Sequence, residues 1–139
     1  MRLFSKSSGQ LDREIADHRE RARLSRRIQK ILDKWQPILG VAFREFHIKK
    51  MTSWGSSNPR DRRLWVSQAL AGMSDAALEY VVVHELMHLV LDEGPVGSGH
   101  DARFYALMDH YLPTWRRRHA RLRSPDGVVA GRLPGRGGA

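Results

Sequence analysis

The sequence has no cysteine among its 139 residues. That absence excludes disulfides, thiolate zinc sites, iron–sulfur clusters and a cysteine nucleophile. No stretch approaches the roughly 18 uncharged apolar residues that a membrane span requires. The N-terminus, MRLFSKSSGQ, lacks the apolar run of a signal-peptide core. Together these absences predict a cytoplasmic protein with no membrane association. There is no internal repeat and no glycine-rich phosphate loop. With 41% apolar residues the chain is too rich in core material for wholesale disorder, and its length suits one domain with one core.

Basic residues outnumber acidic ones at both ends. The net charge is +9, but residues 71–112 hold one arginine, Arg103, against seven acids, so an acidic middle is framed by basic flanks. Such flanks could attract nucleic acid by neutralising phosphates, or serve as solvated helix faces. The densest basic cluster, Arg116-Arg117-Arg118 with Arg121 and Arg123, has no aromatic interleaving that would suggest base stacking.

Apolar residues at three- and four-residue steps, Leu11, Ile15, Ala22, Ile28, Ile31, Leu32 and Trp35, predict an amphipathic basic helix over 11–35, closed by Pro37 and Gly40. Residues 41–51 and 63–67 read as strands, with the turn-forming WGSSNPRD (54–61) between them, so the pair predicts a hairpin. Ser74 is a candidate N-cap for a central helix from Asp75 to about Asp92, apolar on nearly all sides. GPVGSG (94–99) reads as a flexible loop. A helix is expected from His100 to Leu112 and a basic one from about Thr114 to Arg123. The domain then covers 1–123, with an N-terminal helix (1–40) and a core (41–123), and 124–139 is expected to be a disordered tail. Trp35, Trp65 and Trp115 read as core residues. His18, His47 and His119 sit in charged surroundings and are expected at the surface.

The central helix carries His84-Glu85-Leu86-Met87-His88, an H-E-x-x-H motif. Residues i and i+4 share a helix face with side-chain roots about 5–6 Å apart. Two imidazoles so placed can converge on one Zn²⁺ at about 2.0–2.1 Å. Glu85 then reaches the neighbouring side, where it can take a proton from an activated water without being a ligand. The motif also lies in the most apolar stretch of the chain, where unpartnered polar groups cost several kcal/mol. A catalytic zinc needs a third protein ligand. Leu91 and Gly94 exclude the metzincin spacing. His100, returning after the 94–99 loop, is the leading candidate, with Asp92, Glu93 and Asp101 as carboxylate rivals. Tyr105 and His110, on the following helix, are candidate donors to substrate.

The segments MTSWGSSNP (51–59), EYVVVHELMHL (79–89), GHDARFYALM (99–108) and LPTWRRRHARL (112–122) resemble YgjP-like metallopeptidase domains, which are related to SprT-like zincins. The resemblance spans about 41–123. It implies an α+β zincin-like fold, with a small sheet packed on the H-E-x-x-H helix and further helices behind. It also implies His84, His88 and His100 as zinc ligands, Glu85 as general base, and the Trp54-Gly55-Ser56 segment at a sheet edge beside the cleft. Trp54 and Gly55 are thereby candidate substrate-binding residues. Ser53 and Ser57 stand where the family usually has a basic residue and a cysteine. The implied activity is zinc-dependent hydrolysis of a peptide or protein substrate. A SprT-like protease on DNA-bound proteins, a nucleotide phosphohydrolase and a zinc-stabilised interaction module are the alternatives.

Overall fold

The computed structural model describes residues 7–91 and 100–122. The predicted loop at 94–99, the rival ligands Asp92 and Glu93, and the tail at 124–139 lie outside the described residues.

Helix α1, Ser8–Leu39, begins where the Ser7 hydroxyl accepts the backbone N–H of Gln10 at 3.0 Å. It is longer than predicted and runs through Pro37, which removes one backbone donor near the end without breaking the helix. Trp35 before the proline is buried in the core, and Leu39 after it packs against the same core. The stop comes at Gly40, whose φ of 73° suits a residue without a Cβ and whose N–H reaches Gln36 O at 2.8 Å. Leu24, Ile28, Leu32 and Trp35 are the buried residues of the helix. Leu11 and Ile15, predicted to share that apolar stripe, are exposed instead. No residue of α1 before Leu24 is buried.

Three strands form one sheet in the order β1-β3-β2: β1 Glu45–Lys49, β2 Gly55–Asn58 and β3 Arg63–Ser67. This corrects the predicted hairpin. β1 and β3 are parallel neighbours, and the hairpin joins β2 to β3 through residues 59–62. Gly55, Asn58 and Pro59 predict a turn over 54–61, and Gly and Asn are poor strand formers. Pairing with β3 overrides that preference. The turn itself is narrower: Asn58 Oδ1 accepts the N–H of Asp61 at 3.1 Å, and Arg62 takes a positive φ of 58°.

Helix α2, Asp75–Leu91, is capped by the Ser74 hydroxyl, which accepts Ala77 N–H at 3.1 Å. Its residues from Ala77 to Leu89 are buried except for Glu79. A helix apolar all round must be enclosed. β2 packs on it, α1 lies on another side, and α3, Ala102–Tyr111, and α4, Trp115–Leu122, complete the enclosure. A 3₁₀ turn, Gln68–Gly72, leads into it.

Arginines anchor this packing. Arg27 of α1 donates to Asp75 Oδ1 at 2.9 Å, Ala71 O at 3.2 Å and Met73 O at 2.7 Å, so one guanidinium fixes the entry to α2. Glu79 joins three helices. It accepts from Trp35 Nε1 at 2.6 Å and Lys34 at 3.1 Å on α1, and from Arg118 Nη1 at 2.8 Å on α4. Arg118 also bonds Ala76 O. The predicted basic cluster is thus partly spent inside the fold through Arg118, while Arg116 pairs with Asp109 at the surface. Arg117 and Arg121 line a groove of about 210 Å³ with Ser74 and Thr114.

Burial alone would raise the pKa of Glu79, but the hydrogen bonds from Arg118, Trp35 and Lys34 outweigh it and hold the carboxyl below its ordinary value. A folded-state pKa below the unfolded one lends stability that is complete above the unfolded value, about 4.3, and is lost as the pH falls. Glu79→Gln should therefore lower stability at neutral pH by about 1–2 kcal/mol. Its melting temperature should also fall less than the wild type's between about pH 5 and pH 3. Parallel melting curves for the two proteins would contradict this role.

Candidate metal centre

His84 and His88 stand one turn apart on α2, 3% and 1% exposed, with Glu85 between them at 1%. His100 Nε2 lies 3.1 Å from His84 Nε2 and 3.2 Å from His88 Nε2. Two nitrogens bound to one tetrahedral zinc at about 2.0–2.1 Å would be about 3.3–3.4 Å apart. The two pairs that include His100 already hold nearly that spacing. Neutral imidazole nitrogens that face one another need a proton or a cation between them, because their lone pairs repel. Their ligand atoms all lie within 4.8 Å of one another, and no other group of three or more potential ligands occurs among the described residues. The donor set, three nitrogens without a carboxylate, suits zinc chemistry.

Local sequence explains how the third imidazole arrives. The expected helix start at His100 is displaced: Asp101 is the N-cap of α3, and His100 precedes it. Asp101 Oδ1 accepts the N–H of Arg103 at 3.0 Å and of Phe104 at 3.1 Å. The backbone bond from Phe104, helped by the Arg103 guanidinium, lowers its pKa. The carboxylate proposed as a rival ligand is therefore engaged as a cap, and the residue before it is turned toward α2.

Phe104, which the sequence reading did not single out, is the floor of this arrangement. It is buried, and its ring lies 4.5 Å from His100, 4.8 Å from His84 and 4.9 Å from His88 between centroids. The four-residue step from His100 was the available signal. Tyr80, four residues before His84 on the same face, places its hydroxyl 3.5 Å from His84 Nδ1. Tyr80 also stacks on Trp115 and meets His119, which is half-buried rather than at the surface as expected. His18 and His47 are exposed. Trp35 and Trp115 are core residues, and Trp65 is half-buried against His47.

The candidate substrate residues separate. Tyr105 is half-buried, with its ring 6.3 Å from His100 and stacked on Trp115. His110 is exposed at the far end of α3 against Tyr111, about 9 Å along the helix axis from Phe104 at a rise of 1.5 Å per residue. Trp54 is not a docking surface: its side chain is 3% exposed within the core, and its carbonyl accepts Ser67 N–H at 2.9 Å. Gly55 lies against α2. A Cβ there would stand 3.0 Å from Val81 Cγ1, 3.4 Å from Trp65 O and 3.7 Å from Glu85 Cγ. Two residues on, the Ser57 hydroxyl donates to Glu85 Oε1 at 2.7 Å. That contact could not be read without knowing that 55–58 is a strand.

This combination of a small sheet, an enclosed helix bearing two imidazoles and a carboxylate, and a returning third imidazole defines a zincin-like metallopeptidase. The chain belongs to the YgjP-like metallopeptidase domain family, whose family model matches residues 4–125. It is accordingly a hydrolase of the protease class. Solved structures with the same fold include two metallopeptidase zymogens. That of Pyrococcus abyssi abylysin is 16% identical, with a TM-score of 0.65 over 77% of this chain and 99% of the other. That of Methanocaldococcus jannaschii jannalysin is 19% identical, with a TM-score of 0.53 over 61% of this chain and 81% of the other. No curated protein matches the sequence. Among the described residues no helix is long and apolar enough to cross a membrane.

Replacing Phe104 with Ala should cost about 3–5 kcal/mol, the range for a fully buried phenylalanine. Urea unfolding measures that loss. Because the ring also seats His100, a zinc titration should show weaker binding in the same variant, and unchanged binding would assign Phe104 to packing alone.

Proposed function

We propose that the protein hydrolyses peptide bonds with a single zinc held by His84, His88 and His100, and with Glu85 as general base. The observation that carries this reading is His100 Nε2 lying 3.1 Å from His84 Nε2 and 3.2 Å from His88 Nε2, with the buried Glu85 next to His84 in the chain. Held by these three neutral imidazoles, zinc would keep its full charge and would supply carbonyl polarisation and water activation near neutral pH.

The chain's own residues supply the rest. Glu85 follows His84 by one residue, so it lies beside the two α2 imidazoles without sharing their face. Its carboxylate accepts the proton of the attacking water and returns it to the departing amine nitrogen. Burial of Glu85, His84 and His88 excludes competing bulk water and strengthens electrostatic interactions there. The sheet order leaves the outer side of β2 without a strand neighbour among the described residues. A peptide substrate in extended form can add to that edge through main-chain hydrogen bonds. This role belongs to the strand backbone at Gly55–Asn58, with Tyr105 beside His100 as a candidate neighbour of the substrate.

Metal analysis of the purified protein should find about one zinc per chain, and His100→Ala should lower that occupancy sharply. Glu85→Gln should retain the zinc and lose cleavage of a fluorogenic casein by about 10²-fold or more, the lower range of general-base contributions. Full occupancy in His100→Ala, or undiminished cleavage in Glu85→Gln, would refute the assignment of that residue.

A further inference from the structure

The candidate base is held from outside its own helix. Gly55 and Ser57 are two residues apart on β2, so strand alternation places both on the same face. Gly55 is closely packed against Val81 and Glu85, leaving no room there for a larger side chain without displacement. Its small size lets the strand settle close to α2, and Ser57, one pleat further, reaches Glu85 Oε1 at 2.7 Å. A carboxylate only 1% exposed needs donors to compensate for its lost hydration. A hydroxyl donor to an ionised oxygen makes one of the stronger hydrogen bonds available.

We infer that Ser57 is a positioning residue for Glu85, setting the direction of the carboxylate by holding Oε1 and so aiming the group at the reacting water. The inference rests on the proposed role of Glu85 as base. Because the bond comes from the edge strand, the strand whose outer side is open to an extended substrate is also the strand that orients the base. A peptide that displaces or tightens β2 therefore acts on the geometry of Glu85 directly.

The test uses the zinc-loaded full chain and a concentration series of fluorogenic casein. Ser57→Ala should lower kcat by about 10-fold, within the range for residues that orient a catalytic group through a hydrogen bond. KM and zinc content should stay close to the wild type. Ser57→Thr, which keeps the hydroxyl, should restore most of the rate. A readout independent of turnover comes from urea unfolding of the metal-free chain. There Ser57→Ala should reduce the folding equilibrium constant about 10-fold when Glu85 is present, and much less in a Glu85→Ala background. If Glu85→Gln is inactive while Ser57→Ala turns over like the wild type, the positioning role is overturned and the base assignment stands. If Glu85→Gln itself cleaves normally, the reading of the site has failed first. Equal loss in Ser57→Ala and Ser57→Thr, with no coupling in the unfolding cycle, would reduce Ser57 to a packing position.

Discussion

Three polar side chains buried on the most apolar helix of the chain are the constraint from which the rest of this structure follows. His84, Glu85 and His88 each expose 3% or less, and desolvating such groups is unfavourable unless partners meet them. Those partners come from the start of α3 and from β2. His100 arrives ahead of α3, Phe104 packs its ring against all three imidazoles, and Ser57 donates to the carboxylate from β2. Ligands one turn apart are cheap to encode. Enclosing them is the larger structural task.

The helices around α2 are braced by charge as much as by apolar packing. Arg27 holds the loop before the helix, and Glu79 receives donors from α1 and α4 together. These are multidentate or partly buried contacts, unlike isolated surface pairs that contribute little. They account for part of the pairing of basic flanks with an acidic middle: Arg27 and Lys34 of α1 and Arg118 of α4 bind Asp75, Glu79 or Ala76 O on α2. Part of the positive excess is thus consumed in assembling the fold.

The smallest element shows how tertiary contacts can impose a local structure. Gly55–Asn58 has neither β-branched residues nor an apolar alternation, yet it forms a strand because β3 offers a ladder and α2 offers a surface that only a slim strand can approach. The same slimness brings Ser57 within reach of Glu85. Trp54, conspicuous in sequence beside this segment, is consumed by the core. The less conspicuous serine is the one that bonds Glu85.

Much of the site was legible because helical periodicity converts sequence spacing directly into geometry. His84, Glu85 and His88 could be placed on one helix, the helix could be recognised as enclosed, and the start of α2 at Ser74 could be read from its cap. Pattern also identified β3 and the three helices beside α2, although α1 outran its predicted end and left Leu11 and Ile15 uncovered. Sequence alone kept His100 in competition with carboxylates, and of these folding engages Asp101 as a helix cap. It missed β2, paired β1 with β3 in the wrong sense, and overlooked Phe104 and Ser57. Each of those depended on contacts between residues far apart in the chain. Local spacing determined which groups α2 presents; only packing between elements decided what meets them, because no periodicity encodes the approach of one element to another.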